Sequence, residues 1–445
     1  SLTRGALFAS LALLAGTSFF AAPARAQSVT EQTNWFKNAK YGVFVHHSDV
    51  DRSAGWNATV NAFDANAFAN RMADAGAGYV IFTVGQGSGF YCAPNATYEN
   101  YVGAAPNTKC STRNLINDVA DALYARGIRT IAYMPATGPK FDTAAMNALG
   151  YTLDTAPSQA FQTKWEGVLR TFSNSFGTKV SGWWIDGCYW PSAYGDFSQA
   201  RNWNTFASAL KSGNSSRILA FNPGVNKIEK MTDAQHYAAG EYAQFTPIPS
   251  GRLVSGIQWH LLGYLGTYWA EGSTRNSDAT MISYIKNVSA KEGVVSMDVR
   301  VDKYGNLTTA QLNQLIAIKK GVRSFTLQAE NYFGQSGVAN YGSGINDCDG
   351  GDYVYFDNVN LIGGYTRFTA RVATPNTGRS VEIRLDSPTG ERVGTLNLNS
   401  TGSWSSPNEQ TTTLSNARHG VRRVYLVFSG SPDAGNFDWF RFHNG

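Results

Sequence analysis

A (β/α)8 barrel followed by an all-β sandwich of jelly-roll type is the fold the sequence predicts, an α/β domain with a β module behind it. Two observations predict the barrel. Eight apolar runs of strand length alternate with helical patterns between residues 34 and 323, and most of those runs end on polar residues. A third predicts the sandwich. From Phe325 onward the helical patterns vanish, and short alternating runs separated by Gly, Asn, Asp and Pro turns replace them.

The chain has 445 residues, enough for two or three domains with large cores. Arg4, the apolar run "ALFASLALLAGTSFFAA" and Ala24, Arg25 and Ala26 read as a signal peptide over 1–26, cleaved before Gln27. Export to the periplasm or beyond is the expectation, with no later run long enough to span a bilayer. The domains are then 27–324, the barrel, and 325–445, the sandwich. Losing Arg4 and Arg25 lowers the formal charge from +5 to +3, too mild to argue for nucleic acid. Aromatics make up 13% and charged residues 16%, which suits a protein that stacks sugars as well as one with a large aromatic core. Cys92 and Cys110 bracket one Gly/Asn/Pro-rich loop, so a disulfide is expected there, with Cys188 and Cys348 free. Nothing in the sequence sets the oligomeric state.

The strands, in order, are "GVFVHH", "GYVIFTV", "RTIAYM", "GWWIDG", "ILAFNP", "QHYAAGE", "GIQWHL" and "VVSMDV". Between the first and second, Phe63, Phe68, Met72 and Ala75 recur near helical spacing. Between the second and third, Leu115, Ile116, Val119, Ala120 and Leu123 share one helix face, and Gly76 and Gly127 fit C-terminal caps. A doubly wound open sheet is the alternative, weakened because no glycine-rich phosphate loop follows the first strand.

In a barrel of this kind the chemistry sits where the strands end. These strands end on His46 and His47, Gly85 and Gln86, Met134 and Pro135, Asp186, Asn222, Glu241, His260 and Asp298. Asp186 stands out because a carboxylate behind Trp183, Trp184 and Ile185 is costly to bury without a purpose. Glycoside hydrolysis needs two carboxyl groups, one to attack the anomeric carbon or activate water and one to protonate the leaving oxygen. Asp186 is the candidate nucleophile. Glu241 is the first candidate acid/base, followed by Glu271 and Asp298. His46, His47 and His260 are candidates for holding sugar hydroxyls, with Trp184 and Gln86 as walls. No HExxH or HxH spacing argues for a metal in the barrel.

Several stretches carry a family resemblance. "NWFKNAKYGVFVHHS", "MADAGAGYVIFTVGQGSGFYCAPNATYENY", "RNLINDVADALYARGIRTIAYM", "GWWIDG" and "EGVVSMDVRVDKYGNLTTAQLNQLIAIKKGVR" resemble the α-L-fucosidases of glycoside hydrolase family 29. The resemblance covers 34–323 and implies a retaining exo-glycosidase with Asp186 as nucleophile and His46 as a sugar-binding histidine. Two departures are clear. His47 stands where the family has tryptophan, and "GQGSGF", with Gln86 and Ser88, stands where it has a His-His-Asp run. The resemblance therefore implies the nucleophile and leaves the sugar open. "LQAENY", "GDYVYF", "TGSW" and "VYLVFSG" leading to "NFDWFRF" resemble carbohydrate-binding modules of family 6. That resemblance implies a structural calcium on Gln328, Glu330 and Asp438, and sugar binding through Trp404 and Asn436; the family's other aromatic falls near Asp347, so half of that clamp is missing, with Tyr341 as a candidate substitute.

The expected function is a secreted α-L-fucosidase-like hydrolase acting on a glycan or polysaccharide. The alternatives are a glycosidase of the same fold that takes another sugar or cuts internally, and a sugar-binding protein without catalysis.

Overall fold

The computed structural model describes residues 27–47, 55–415 and 420–445; the expected signal peptide lies outside them. Seven parallel strands form one sheet: β1 (Tyr41–Val45), β2 (Tyr79–Thr83), β3 (Arg129–Pro135), β4 (Val180–Asp186), β5 (Ile218–Phe221), β6 (His260–Tyr264) and β7 (Val294–Val299). Their spatial order is β5-β4-β3-β2-β1-β7-β6, so β5 and β6 are the two edges. The run "QHYAAGE" lies between those edges as an extended segment rather than a regular strand. The His236 N–H donates to Leu219 O at 2.8 Å, on the β5 side. The Ala238 N–H donates to Gln258 O at 3.0 Å and the Leu262 N–H to Gly240 O at 2.8 Å, on the β6 side. The ring is closed through this segment. Gly240 is required there: its φ is +64°, and a Cβ would lie 2.0 Å from the His260 carbonyl oxygen.

All residues of β1, β2 and β7 are buried, as expected for parallel strands covered on both faces. Side chains alternate between two cores. Phe44, Ile81, Tyr133, Trp184, Ala220 and Leu262 fill the interior of the ring. Val45, Phe82, Met134, Trp183, Ile185 and Phe221 pack outward against the helices. The helix patterns materialise as α1 (Ala65–Asp74) and α2 (Leu115–Tyr124), capped at the start by Asp64 and Asn114. Gly76 and Gly127 follow them at φ +66° and +69°, the left-handed cap their positions suggest.

Two expectations are corrected. The seventh run does not end on His260. The strand begins there, because the imidazole's polarity is met inside the ring by Ala238 O (2.9 Å) and Ser296 Oγ (2.8 Å). Nor is there a Cys92–Cys110 bridge: both thiols are free and buried, bonded to Thr83 O and Asn95 O respectively. The loop is held instead by the buried Glu99, whose carboxylate accepts the N–H groups of Asn107, Thr108, Lys109 and Cys110 at 2.9–3.0 Å. Four charge-assisted bonds to backbone do the work expected of the disulfide.

The last barrel helix, α3 (Thr309–Val322), gives way to the first sandwich strand, β8 (Phe325–Gln328). Two antiparallel sheets then enclose one core that includes Val354, Phe368, Val381, Leu426 and Phe440. The closing strand β9 (Asn436–His443) runs from the far end of the sandwich back to the barrel, where Asn444 Nδ2 donates to Arg323 O at 3.3 Å. Arg323 is fully buried and joins the domains. Its guanidinium donates to Ala39 O (2.9 Å) and Gly76 O (2.7 Å) on the barrel and to Ile362 O (2.7 Å) on the sandwich, and it stacks on Tyr41. Ala39 and Gly76 precede β1 and β2, so the sandwich is docked at the end of the barrel where strands begin.

Removing the guanidinium leaves three buried carbonyls without a donor. Arg323→Ala is expected to destabilise the protein by about 3 kcal/mol and to expose the residues around Phe325 to limited proteolysis. An unchanged melting temperature and digestion pattern would show that the junction is held by something else.

Candidate active site

At the opposite end of the ring, where the strands finish, a cavity of about 400 Å³ opens, and Asp186 lines it as the last residue of β4. Strand alternation turns Trp184 and Asp186 inward and Trp183 and Ile185 toward the helices. Trp184 forms part of the floor. Its ring lies nearly parallel to Tyr133 at 5.5 Å, and its indole N–H donates to Ala239 O at 3.1 Å.

Both oxygens of Asp186 have donors. Tyr133 Oη donates to Oδ2 at 2.6 Å, and Asn222 Nδ2 donates to Oδ1 at 2.9 Å. The same Asn222 nitrogen donates its second hydrogen to Glu241 Oε2 at 2.6 Å. One amide nitrogen thus tethers two carboxyl groups, and the two accepting oxygens are within about 5.5 Å of each other. Burial pushes the Glu241 carboxyl above the ordinary glutamate range, and the Asp186 charge adds to this. The Asn222 hydrogen bond and the nearby His46 oppose it. The pair is therefore asymmetric, with one carboxylate held by two donors beside a glutamic acid inclined to keep its proton.

The wall across the cavity is built on Asp298, which is buried. Its Oδ1 lies 2.8 Å from His46 Nδ1, and its Oδ2 accepts the Ala270 N–H at 2.6 Å. Ala270 has φ +52°, a left-handed conformation that an alanine rarely takes. The loop so fixed carries Trp269 into the cavity wall, where its ring is 6.1 Å from that of His46. Gln86 closes another side, and its amide donates to Tyr133 Oη at 3.0 Å.

Asp186, Glu241, His46, Gln86 and Trp184 are therefore brought together. Glu271 is an exposed residue of the rim. Asp298 stands behind His46 rather than on the cavity surface. His47 does not reach the cavity. It follows His46 onto the outer face of the ring and is buried among Trp56, Phe63 and Phe82, and this desolvation pushes its pKa down to about 4. His260 lies at the far end of the ring, in contact with Phe36 and Tyr237. Sequence reading gave no role to Tyr133, Asn222, Phe44 or Trp269. Asn222 was already visible as a strand end and Tyr133 as an inward position of "RTIAYM"; Trp269 sits on an irregular loop with no such signal.

In the sandwich, Trp404 is 43% exposed, and its carbonyl accepts from Asn436 Nδ2 at 3.0 Å. Tyr341 is half exposed and lies close to the carboxylates of Glu330 and Asp438, whose charges, after burial, raise its pKa. Glu330 Oε2 is buried with no hydrogen-bond partner, Asp438 pairs with Arg371 at 3.1 Å, and Gln328 is exposed at the end of β8. Among the described residues no group of three or more His, Cys, Asp or Glu side chains is placed to hold a metal ion. Among the same residues no helix is long and apolar enough to cross a membrane.

The alpha-L-fucosidase family model matches residues 50–322, and the model of carbohydrate binding module family 6 matches residues 328–444. Among curated proteins, an endo-1,4-beta-xylanase A of Thermoclostridium stercorarium is 41% identical over 105 residues, 24% of this chain and 20% of that protein. An arabinoxylan arabinofuranohydrolase of Paenibacillus polymyxa is 39% identical over 101 residues, 22% of this chain and 16% of that protein. The chain thus spans a fifth or less of the length of these relatives. Among solved structures, a family 6 module from Clostridium cellulolyticum in complex with xylose is 36% identical, covering 27% of this chain and 97% of that one at a TM-score of 0.26. A family 29 alpha-L-fucosidase from Bacteroides thetaiotaomicron is 15% identical, covering 92% of this chain and 98% of that one at a TM-score of 0.46. The fucosidase model spans more than half of the sequence, and the chain belongs to the alpha-L-fucosidase family of glycoside hydrolases, with a family 6 carbohydrate-binding module behind its barrel.

Proposed function

We propose that this chain is an exported, retaining glycosidase that releases α-linked L-fucose, or a sugar of similar shape, from a glycan or polysaccharide. The observation that carries the reading is the tether of Asp186 and Glu241 to one Asn222 amide, which keeps an oxygen of each carboxyl group within about 5.5 Å of the other, close enough for the paired carboxyls of double displacement rather than the wider pair that leaves room for a water. Asp186 attacks the anomeric carbon while the glycosidic oxygen takes the proton of Glu241. The bond to the leaving group breaks and a glycosyl ester forms on Asp186. Glu241, now a carboxylate, removes a proton from water, which opens the ester and restores both groups. Burial, with the Asp186 charge, raises the Glu241 pKa and so favours the acid form that the leaving oxygen needs. Tyr133 holds Asp186 in its attacking orientation, and Asp298 fixes the His46 ring for a sugar hydroxyl.

A second reading, the same chemistry on a different sugar, is supported by Gln86, whose amide is already committed to Tyr133. A panel of aryl α-glycosides separates the two, and nuclear magnetic resonance of the first-formed anomer reports retention.

The sandwich is proposed to bind carbohydrate through Trp404 and Asn436, and to hold Ca²⁺ through Gln328, Glu330 and Asp438. The buried, unpartnered Glu330 Oε2 is the kind of hard oxygen such an ion would satisfy. A chelator is expected to lower the melting temperature, and added Ca²⁺ to restore it; a chelator-insensitive melt would remove the ion from the account.

Asp186→Asn is expected to cut turnover by several orders of magnitude, since an amide does not attack the anomeric carbon. Sugar binding that persists unchanged in wild type and variant, with no hydrolysis of any substrate, would replace the enzyme with a sugar-binding protein. Glu241→Gln is expected to slow hydrolysis of a poor leaving group roughly 10²- to 10⁴-fold while sparing a nitrophenolate; equal losses on both would transfer the acid role to Glu271. In Asn222→Ala a donor to the ionised form of Glu241 is gone. Its pKa rises further, and the alkaline limb of the pH profile of kcat/KM moves to higher pH. A limb that stays in place would mean another group supplies the proton.

A further inference from the structure

Double displacement at Asp186 and Glu241 gives no task to the stretch "GQGSGF", where the chain departs from its family. The backbone there is nevertheless held tightly. Gly85 forms a bridge with Tyr91, and a Cβ on it would lie 2.2 Å from the ring of that tyrosine, which is fully buried and has no room to give way. On the other side, Gly87 O accepts the Phe141 N–H at 2.7 Å. Gln86 is thus the one side chain between two anchored glycines, just past the end of β2.

The group it meets is fixed as well. Tyr133 is buried, its ring nearly parallel to Trp184 at 5.5 Å and edge-on to Phe44 at 5.5 Å. Ring motion is blocked, and the rotation of the hydroxyl hydrogen is the freedom that remains. A phenol has one hydrogen to give and two lone pairs to accept with. The hydrogen goes to Asp186 Oδ2, 2.6 Å away. The Gln86 amide nitrogen, at 3.0 Å, therefore donates to a lone pair of the same oxygen. An acceptor in that place would compete with Asp186 for the single hydrogen. A donor there leaves the hydrogen to Asp186 and polarises the O–H bond further. That bond matters most when Asp186 carries its full charge, in the resting enzyme and again as the glycosyl ester opens.

We infer that Gln86 is a positioning residue for the nucleophile, acting through Tyr133 to direct the hydroxyl hydrogen onto Asp186 rather than by gripping the sugar. This rests on the glycosidase reading above. The test measures kcat and KM on 4-nitrophenyl α-L-fucoside or, where that is inert, on the aryl α-glycoside of the panel that the wild-type chain hydrolyses best. Gln86→Met keeps the length of the side chain and removes its amide. Its kcat is expected to fall about tenfold with KM little changed. Gln86→Glu has the same size but accepts instead of donating, and is expected to lose at least as much. In a Tyr133→Phe background there is no hydroxyl to direct, and Gln86→Met is expected to add nothing to the loss already present. A rise in KM with kcat intact, or a full additive loss in the Tyr133→Phe background, would make Gln86 a direct sugar contact and leave the glycosidase standing. Wild-type turnover in Gln86→Glu would overturn the inference in the same way. If the wild-type chain hydrolyses no member of the panel, it is the glycosidase reading that fails, and Gln86 has no nucleophile to position.

Discussion

One amide nitrogen organises the catalytic end of this molecule. Asn222 at the end of β5 gives one hydrogen to Asp186 and the other to Glu241, and that arrangement needs three successive segments of the ring in register. The third of them is not a regular strand. Segment 236–242 completes the ring by bonding first to β5, through His236 and Tyr237, and then to the β6 side, and it passes β6 closely only because residue 240 has no side chain. Closure of the barrel and assembly of the carboxyl pair are thus the same event. A shift of one residue in this segment would turn Glu241 away from the cavity and leave Asn222 with an unused donor.

The opposite wall solves a related problem with a single buried carboxylate. Asp298 accepts from a histidine that lines the cavity and from the backbone of a loop that would otherwise have no reason to adopt a left-handed alanine. The strain at Ala270 is of the kind found where surrounding structure over-determines a functional loop. Its product is the position of Trp269. The two walls together give the cavity a rigid acidic side and a rigid aromatic side.

The barrel was legible in the sequence because parallel strands covered on both faces read as uninterrupted apolar runs, and seven of the eight runs became strands. The misreadings share one cause. Polar character in a linear sequence does not say which face a residue occupies. His47 and His260 look like site histidines, yet one is turned outward by strand alternation and the other is satisfied by a hydroxyl and a carbonyl inside the ring. Cys92 and Cys110 look like a staple because the loop between them needs one, and Glu99 supplies it from within that loop. Asp186 and Glu241 were readable because charges at the ends of apolar runs have few structural uses. Tyr133 and Asn222 escaped because a tyrosine or an asparagine at such a position has many.

The buried Arg323 junction fixes the sandwich beneath the barrel, and β9 carries Asn436 and its neighbour Trp404 to the extremity farthest from that junction, roughly 25 Å away along eight residues of strand. The catalytic mouth opens at the other extremity. Trp404 and the carboxyl pair therefore lie toward opposite ends of the molecule. Under the proposed function, a module so mounted would serve as a mooring rather than a guide, and only a long, looping polymer could occupy both ends at once.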